Sequence, residues 1–472
     1  MYQVSVIILS QARTASLRQR LETLADQVFP REDFEVIVVA DARANETVKI
    51  VHDYSHGSPY RLRVVAEPST WPSVMRNSGA QVADGATLIF INDDIEAAPS
   101  LVRAHVAAQG CDVVTVGYSR PALAPRPSQW QLEARLLRER RYTRLRTRGC
   151  RLGYRDFLFD NCALSADLFR RTGGFDPSFH RLEGCEYGLR LLEAGARLVY
   201  VPDALAVHHD TSDLPQSVQR IREEGAARVQ LACRHPILRR VLFSAPGGLS
   251  TLNDDQIAER GAWMARRDDR EYRECLREER RSQAGCPVRE VDLDQRGQAT
   301  RPRGVPRVIQ LLAFGVSGGG DGVTKLALQI IAGFEKLKLR RNRNALVNAV
   351  TMFNYWRGVA AATGSRAAFW AWAAEGPDAA FVAADAPVFE WTARPAGPRL
   401  QELMVRGSRQ GIRVLVDGIE LDIPPEPWAE PLRIEHIELA VSRLCAERVV
   451  PALIPTAIKG SAADDRPALS FN

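Results

Sequence analysis

The sequence predicts an α/β protein whose first domain is a mostly parallel sheet flanked by helices. Apolar runs rich in Val and Ile, at residues 4–9, 34–39 and 61–65, alternate with segments of helical periodicity. Such runs are typical of parallel strands that are covered on both faces. Two carboxylates, Asp93 and Asp94, stand where a further apolar run ends. Because ligands bind beyond the carboxyl ends of strands in open α/β sheets, we expect a ligand site there.

Each element of this domain is predicted from its local pattern, in chain order. The predicted strands are 4–9, 34–39, 61–65, 86–91, 112–116 and 196–201, and a further strand followed by a helix is predicted around residues 161–171. The predicted helices are 17–28, a segment ending near 54, one beginning near 72, an arginine-rich helix after a proline-rich break, and 183–194. Gly195 follows the last helix, as a C′ glycine commonly does.

The length of 472 residues suggests two or three domains. We predict an α/β domain at 1–245, a charged helix or linker at 246–306, a mainly helical region at 307–375 and a small mixed region at 376–472. The second boundary rests on the dense charge and the Pro/Gly punctuation of residues 255–305.

Composition indicates a soluble globular protein, with 45% apolar and 25% charged residues and a net charge of +6. The eight cysteines show no CxxC pair and no metal-ligand spacing, which argues against a disulfide framework. Met1 leads directly into the first strand without a leader pattern, and no run of about 18 apolar residues is present. We therefore expect a cytoplasmic protein that contacts a membrane peripherally at most.

The acidic segment at residues 90–95 has two interpretations. Crowded carboxylates repel one another, and their oxygens suit Mg²⁺ or Mn²⁺, which commonly bind one or two carboxylates together with substrate phosphates. Alternatively, Asp93 and Asp94 form an acidic turn that caps the next helix. The surrounding sequence favours the metal site.

The order of these features resembles the family 2 glycosyltransferases, which have the nucleotide-sugar-binding GT-A fold. The resemblance covers about residues 3–240. It rests on seven segments in one order: 4–13, 21–27 with 34–41, Arg76-Asn-Ser-Gly-Ala80, Asn92-Asp-Asp94, Gly173-Gly-Phe-Asp176, Glu186-Tyr-Gly-Leu-Arg190 with Ala194-Gly195, and Tyr200-Val-Pro202 to His208. Asn92-Asp-Asp94 is similar to the family's Asp-x-Asp signature. Each segment is a weak signal alone, and their shared order makes the resemblance specific.

The resemblance implies an inverting transfer of a sugar from a nucleoside diphosphate to an acceptor hydroxyl. It implies that Asp94 and His208 bind Mn²⁺ or Mg²⁺, which stabilises the leaving diphosphate. His208 could instead be an ordinary loop histidine, since His209 stands beside it. On the donor side, Asp93, next to the metal ligand, is expected to take part in binding the nucleotide. Asp41 would accept hydrogen bonds from the base or ribose unless it is a turn or helix-capping residue.

Two arginines complete the expected donor site. Arg13 and Arg76 could contact nucleotide phosphates, or both could simply lie in loops. The donor implied is a nucleoside-diphosphate sugar, and the acceptor a saccharide or a lipid-linked molecule. Nucleic acid is not expected, because the basic segments lack interleaved aromatic residues.

The acceptor side departs from the family pattern. An inverting transfer needs a general base, and the family's aspartate corresponds here to Gly184. Either Glu183 takes the proton, the alignment is displaced by one residue, or the enzyme is impaired. Glu183 and Glu186 could share a helical face as base and acceptor ligand, or could be acidic residues favoured in a first helical turn.

Two other segments carry weaker signals. Residues 315–325 are glycine-rich but lack the GxxxxGK[ST] spacing, so a linker or helix entry is favoured over a phosphate loop. Residues 135–155 contain nine arginines, which predicts either a solvated helix or a peripheral contact with an anionic acceptor or membrane.

The sequence thus predicts a metal-dependent glycosyltransferase that builds a polysaccharide or glycoconjugate. A catalytically weakened nucleotide-sugar-binding or scaffold protein is the alternative, because Gly184 cannot act as a base.

Overall fold

The structure is a computed structural model of the chain. It describes residues 2–10, 14–122, 127–147, 149–210, 212–239, 242, 320–336, 340–375, 386–390, 403–404, 410–416, 419–426 and 429–442. Arg13 and residues 246–306, for which predictions were made, lie outside these ranges.

Eight strands form the main sheet, and their apolar side chains are almost completely buried in β1, β2 and β4. The strands are β1 (Val4–Ser10), β2 (Phe34–Asp41), β3 (Arg61–Glu67), β4 (Thr87–Asn92), β5 (Ile95–Ala97), β6 (Val113–Pro121), β7 (Asn161–Ser165) and β8 (Arg197–His208). Their order across the sheet is β3-β2-β1-β4-β7-β6-β8-β5. Four of the seven pairings are parallel, which confirms the predicted α/β class.

The helices flank this sheet and connect its strands. They are α1 (Thr14–Ala25), α2 (Asn45–Ser55), α3 (Pro72–Gln81), α4 (Leu101–Ala107), α5 (Gln129–Arg146), α6 (Ala166–Arg171), α7 (Glu183–Glu193) and α8 (Leu214–Arg234). Leu17, Leu21 and Leu24 of α1 pack into the core formed by β1 and β2. The short β5 and α4, and the long α8, were not predicted.

The strand order reverses beside β1. From β1 the chain adds β2 and β3 on one side and then returns to place β4 on the other side. Parallel registers bring Leu9 of β1 opposite Asn92 of β4, so both strands end at the same edge. A crevice outside the carboxyl ends of strands at such a reversal is where open α/β sheets bind ligands. Asp93 and Asp94 follow β4 at this point.

The far end of the sheet is built differently from the prediction. The last strand was expected to end at residue 201, but β8 continues to His208. Its first part runs parallel to β6, and a register shift after Gly117 lets both strands continue. The end of β8 pairs with β5 in antiparallel register. The extra length is what carries the histidine to the acidic edge.

The C-terminal additions predicted from the sequence are present. Three helices follow in the described part of residues 307–375: α9 (Gly320–Lys336), α10 (Arg340–Thr363) and α11 (Arg366–Ala374). Gly320 begins α9, which agrees with a helix entry there. A small sheet contains β9 (Val388–Glu390), β10 (Ile412–Val416) and β11 (Ile419–Ile423), in the order β11-β10-β9.

By contacts, the chain divides into two compact units. One contains residues 1–144 and 152–378, and the other contains 145–151 and 379–472. The core of the second unit includes Ile412, Val414 and Ile437. The four-part division made from the sequence stays a prediction.

None of the helices in the described ranges has the length and apolar content that crossing a membrane requires. The five described cysteines all carry free thiols.

Candidate functional site

The edge of the sheet at β4 gathers the acidic residues that were predicted to bind a ligand. The backbone N–H of Asp93 donates to the Leu9 carbonyl at 3.1 Å, which extends the pairing of β1 and β4 by one residue. Asp93 is 3% exposed and Asp94 is 8% exposed. Burying two neighbouring carboxylates is costly unless positive charge or hydrogen-bond donors compensate it.

The structure places His208 directly beside Asp94. His208 Nε2 lies 3.2 Å from Asp94 Oδ2, and both side chains are about nine-tenths buried. Two backbone features fix this arrangement: Ile95 pairs with His208 across β5 and β8, and the His209 N–H donates to the Asp94 carbonyl at 2.9 Å. The two site residues therefore meet because their strands pair.

The neighbouring histidine has a different partner. His209 Nε2 lies 2.8 Å from Glu96 Oε2, and Arg20 Nη1 donates to the same oxygen at 2.8 Å. The hydrogen bond from His209 lowers the pKa of Glu96, against the effect of its burial. Since successive side chains alternate between faces of a strand, the two histidines face different carboxylates. This geometry distinguishes His208 from His209, which the sequence could not do.

The Asp94–His208 pair fits a divalent cation. An octahedral ion with ligands about 2.1 Å away holds neighbouring ligand atoms about 3.0 Å apart, close to the 3.2 Å seen between Nε2 and Oδ2. Within the described ranges, no cluster of three or more His, Cys, Asp or Glu side chains forms a metal site. A two-ligand site suits an ion whose other ligands are substrate phosphates and water.

Asp41, expected to bind the nucleoside, is held by a neighbouring arginine. Arg43 donates from Nε to Asp41 Oδ1 and from Nη2 to Oδ2, both at 2.9 Å, and its backbone N–H also donates to Oδ1. The side-chain hydrogen bond is the main cause that lowers the pKa of Asp41. The Arg43 side chain is 74% exposed, and exposed ion pairs of this kind contribute little to the stability of the folded protein. A ligand could displace it, so the nucleoside role stays a prediction.

Arg76 and Glu183, predicted on opposite sides of the reaction, form an ion pair. Arg76 Nη1 donates to Glu183 Oε1 at 2.7 Å and Nη2 donates to the Phe159 carbonyl at 3.2 Å. The guanidinium also lies over the Phe175 ring, 5.3 Å from its centroid. Arg76 is 5% exposed, so these contacts orient Glu183 from within the protein. A direct contact between Arg76 and nucleotide phosphate stays a prediction.

Glu186 points into the protein interior. Its side chain is completely buried, and Arg190 donates to both carboxylate oxygens at 2.7 Å. Burial would raise the pKa of Glu186, but the nearby His235 and the hydrogen bonds from Arg190 outweigh it and hold the pKa below its ordinary value. These contacts indicate a structural ion pair, and the role of Glu186 as an acceptor ligand stays a prediction.

The helix that carries Glu183 begins in an unusual way. Leu182 precedes α7 with φ 60° and ψ 19°, a left-handed conformation that costs about 1–2 kcal/mol for a residue with a Cβ. At the next position but one, a Cβ on Gly184 would lie 3.0 Å from the Phe159 ring. The ring therefore occupies the space next to the position where the family carries its base.

The arginine-rich segment at 135–155 is largely engaged within the protein. Arg135 is 5% exposed, Arg138 pairs with Asp160, and Arg144 pairs with Asp156. Arg151 donates to the carbonyl of Glu430 at 2.7 Å. The segment is thus not a uniform basic surface, and membrane contact through it gains no support.

A cavity of about 580 Å³ with mostly polar lining residues opens after the end of β8. It is lined by Arg181, Ser212, Pro215, Gln216, Gln219, Arg220 and Glu223. Ser212 donates to Asp210 Oδ1 from both its N–H and its hydroxyl, and these hydrogen bonds lower the pKa of Asp210 against the effect of burial. Asp210 stands two residues after His208 in the chain, and Ser212 lines the cavity.

Sequence reasoning did not identify Arg138, Asp160 or Asp210. Asp160 directly precedes β7, whose antiparallel register places Asn161 opposite Ile91 of β4. Antiparallel pairing at this point has no local sequence signal, so the approach of Asp160 to the acidic edge could not be predicted. The segment also explains how the site is assembled, because Phe159 binds Arg76 and Asp160 binds Arg138.

Comparison with known proteins bears on this arrangement. Residues 5–173 match the family model of glycosyl transferase family 2. Validoxylamine A glucosyltransferase of Streptomyces hygroscopicus subsp. jinggangensis (strain 5008) is 27% identical over 276 residues, which are 51% of this chain and 63% of that protein. The chain therefore spans less than two thirds of the length of this relative.

Two further comparisons are similar in kind. Pre-mycofactocin glycosyltransferase of Mycobacterium tuberculosis (strain CDC 1551 / Oshkosh) is 39% identical over 88 residues, 19% of this chain and 18% of that protein. The solved mannosyltransferase PcManGT of Pyrobaculum calidifontis, in complex with GDP-Man and Mn²⁺, has a TM-score of 0.42 and 15% identity, covering 75% of this chain and 87% of that one.

The α/β sheet, the acidic edge at its strand reversal and the match to residues 5–173 agree with one another. Over residues 5–173, the chain is similar to glycosyl transferase family 2.

Proposed function

We propose that the protein transfers a sugar from a nucleoside-diphosphate sugar to an acceptor hydroxyl, with inversion at the anomeric carbon. The observation that carries this proposal is the contact between Asp94 and His208 at the end of β4, where the strand order reverses. Relatives of this chain are named as glycosyltransferases, which supports the same class of reaction. The product would be a polysaccharide or another glycoconjugate.

Asp94 and His208 would hold a divalent cation, Mn²⁺ or Mg²⁺. When bound, such an ion supplies positive charge that stabilises the departing diphosphate. His208 must present a neutral Nε2 to do so, which places its proton on Nδ1. Asp93, buried beside this pair, adds negative charge that favours cation binding.

Glu183 is the proposed proton acceptor. In an inverting transfer the acceptor oxygen attacks the anomeric carbon opposite the leaving group while its proton passes to a base. The Glu183 side chain is 16% exposed, and one of its oxygens accepts from Arg76. Arg76 therefore fixes the direction of the carboxylate, and the acceptor hydroxyl would approach the other oxygen.

The acceptor is proposed to be a saccharide or another polyhydroxylated molecule. The cavity after β8 presents hydroxyl, amide, guanidinium and carboxylate groups, and Pro215 is its only apolar lining residue among those described. Polar side chains of this kind hydrogen-bond sugar hydroxyls, whereas a lipid chain would need apolar walls. A saccharide is the acceptor proposed first, and a lipid-linked acceptor with a peripheral membrane contact is the alternative.

A nucleotide-sugar-binding protein with weakened catalysis is the second candidate. The Phe159 ring lies where a side chain at position 184 would extend, so the usual base has no room without a shift of that ring. If Glu183 serves only as the partner of Arg76, the protein would bind the donor without turning it over.

Hydrolysis of a nucleotide-sugar panel with Mn²⁺ separates the two candidates. Turnover and donor affinity are measured for wild type, Asp94→Ala and Glu183→Gln. The control is Glu193→Gln, at the exposed end of α7. We expect Asp94→Ala to lose both, and Glu183→Gln to lose turnover by about 100-fold or more with little change in affinity. Binding without turnover in wild type would favour the second candidate, and the absence of both would refute the first and the second.

A further inference from the structure

An ion pair that neither the motifs nor the family match assigns lies at the acidic edge. Arg138 of α5 donates from Nη1 to Asp160 Oδ2 at 3.0 Å. We propose that Arg138 binds the diphosphate of the donor and that Asp160 is the positioning residue that holds it there. This inference rests on the proposed function, because it names a further ligand for the same donor.

Strand register places Asp160 at the candidate metal site. Asn161 of β7 pairs with Ile91 of β4, and the two strands are antiparallel. The residue before Asn161 therefore lies next to the residue after Ile91, at the point where β4 continues into Asp93. Asp160 cannot move far from this edge while the two strands remain paired.

Arg138 has donors to spare for a ligand. A guanidinium carries five N–H donors in a planar fork, and among the described residues only Asp160 accepts a hydrogen bond from this one. The Arg138 side chain is 29% exposed and that of Asp160 is 16% exposed, so the pair is accessible but restrained. Arginine forks match the geometry of phosphate oxygens, often through two parallel hydrogen bonds.

The surrounding charges keep Arg138 cationic. Burial would lower its pKa, but Asp160, Tyr142, Asp210 and Asp94 together raise it above the ordinary value. Arg138 therefore lies within electrostatic range of the proposed metal ligand Asp94. A diphosphate bound at Asp94 and His208 would approach the same guanidinium.

Arg76, the arginine predicted from the sequence, is less suited to this task. Both of its terminal nitrogens are used, by Glu183 and by the Phe159 carbonyl, and the residue is 5% exposed. Arg138 is more exposed and belongs to a different helix. The two arginines thus have different roles: Arg76 orients the Glu183 carboxylate, and Arg138 binds the phosphates of the donor.

Calorimetry with UDP, GDP, ADP and dTDP, and with the matching nucleosides, tests the proposal in the presence of Mn²⁺. The variants are Arg138→Ala, Arg138→Lys, Asp160→Asn and the control Arg140→Ala, an exposed arginine on the same helix. For the diphosphate that binds wild type, we expect Arg138→Ala to weaken affinity about tenfold or more while the affinity of its nucleoside is unchanged. Arg138→Lys should retain part of the affinity, Asp160→Asn should lose less than Arg138→Ala, and Arg140→Ala should match wild type.

Each of the following results would overturn the inference. Unchanged diphosphate affinity in Arg138→Ala would remove Arg138 from the donor site, and a raised KM for acceptor in that variant would assign it to the acceptor instead. An equal loss for diphosphate and nucleoside would indicate a change in the fold of the site. If wild type binds none of the diphosphates and hydrolyses no nucleotide sugar, the proposed function itself fails. If wild type hydrolyses a nucleotide sugar and Arg138→Ala keeps its diphosphate affinity, only the role of Arg138 is refuted.

Discussion

At the scale of single residues, two adjacent histidines show how position in a strand decides chemistry. His208 faces Asp94 and His209 faces Glu96, although the two are identical in type and differ by one place in the chain. Glu96 also pairs with Arg20, so His209 belongs to a cluster of three residues in contact. Asp94 and His208 instead form a pair at the end of β4, where the strand order of the sheet reverses.

Replacing each histidine tests this distinction. We expect His208→Ala to raise the Mn²⁺ concentration needed for half-maximal nucleotide-sugar hydrolysis by about 10-fold or more, because one proposed ligand is lost. His209→Ala serves as the matched control and should leave that concentration nearly unchanged. Manganese titrations of hydrolysis provide the measurement, and equal shifts in both variants would contradict the assignment of His208.

At the scale of elements, α7 combines a strained entry with a buried ion pair. Leu182 adopts a left-handed conformation immediately before Glu183. Residues in such conformations are kept when the surrounding structure determines them, and they cluster at functional sites. Three residues later, Glu186 is buried and paired with Arg190, which anchors the first turn of the helix to its third.

Two substitutions at Leu182 isolate the backbone cost. Leu182→Gly and Leu182→Ala remove nearly the same side chain, but only glycine adopts a positive φ without penalty. We expect the free energy of unfolding of Leu182→Gly to exceed that of Leu182→Ala by about 1 kcal/mol. Urea denaturation of both variants measures the difference, and a more stable alanine variant would show that the conformation carries no strain.

The buried pair in α7 predicts a dependence of stability on pH. Since the folded-state pKa of Glu186 is depressed, its contribution is present above the ordinary glutamate pKa and is lost as pH falls through the depressed value. We expect Glu186→Gln to reduce the free energy of unfolding by about 3 kcal/mol at pH 7, with a smaller reduction near pH 3. Arg171→Gln, which removes two exposed ion pairs, is the control and should change stability little at either pH.

At the scale of the whole molecule, a buried histidine links three elements of the sheet domain. His105 of α4 is completely buried, with Nδ1 2.8 Å from Thr115 Oγ1 of β6 and Nε2 2.9 Å from Asn161 Oδ1 of β7. Asn161 also donates to the Ala204 carbonyl of β8 at 2.9 Å. One network therefore holds together the strands that bring His208 to Asp94.

Acid should destabilise the domain through this network. Burial lowers the pKa of His105 to about 4, so between its ordinary pKa of 6.5 and pH 4 the unfolded chain binds a proton that the folded chain does not. The free energy of unfolding should fall by about 3 kcal/mol over this interval from His105 alone. Urea denaturation at several pH values, compared between wild type and His105→Gln, tests this; parallel pH profiles would be inconsistent with it.

Much of the sheet was predictable because its strands are nearly continuous apolar runs. The limits of β1, β2 and β4 differ from the predicted ones by one or two residues. Other contacts were not predictable. The Arg138–Asp160 pair joins residues 22 positions apart, and the Arg76–Glu183 pair joins residues 107 positions apart. The hydrogen bonds of His105 start from α4, a helix that was not predicted. Such contacts depend on pairing register and helix placement, which local patterns do not encode.

The short antiparallel pairing of β5 with β8 fixes which histidine faces Asp94. Side chains alternate between the faces of a strand, so a slip of one position would present His209 to Asp94 and turn His208 away. Deleting a single residue within 202–207 would thus place His209 where His208 now faces Asp94, although the acidic segment and the two histidines would still be recognisable in the sequence. Homologues with a shortened β8 would need a compensating insertion nearby to keep the same imidazole at the cation.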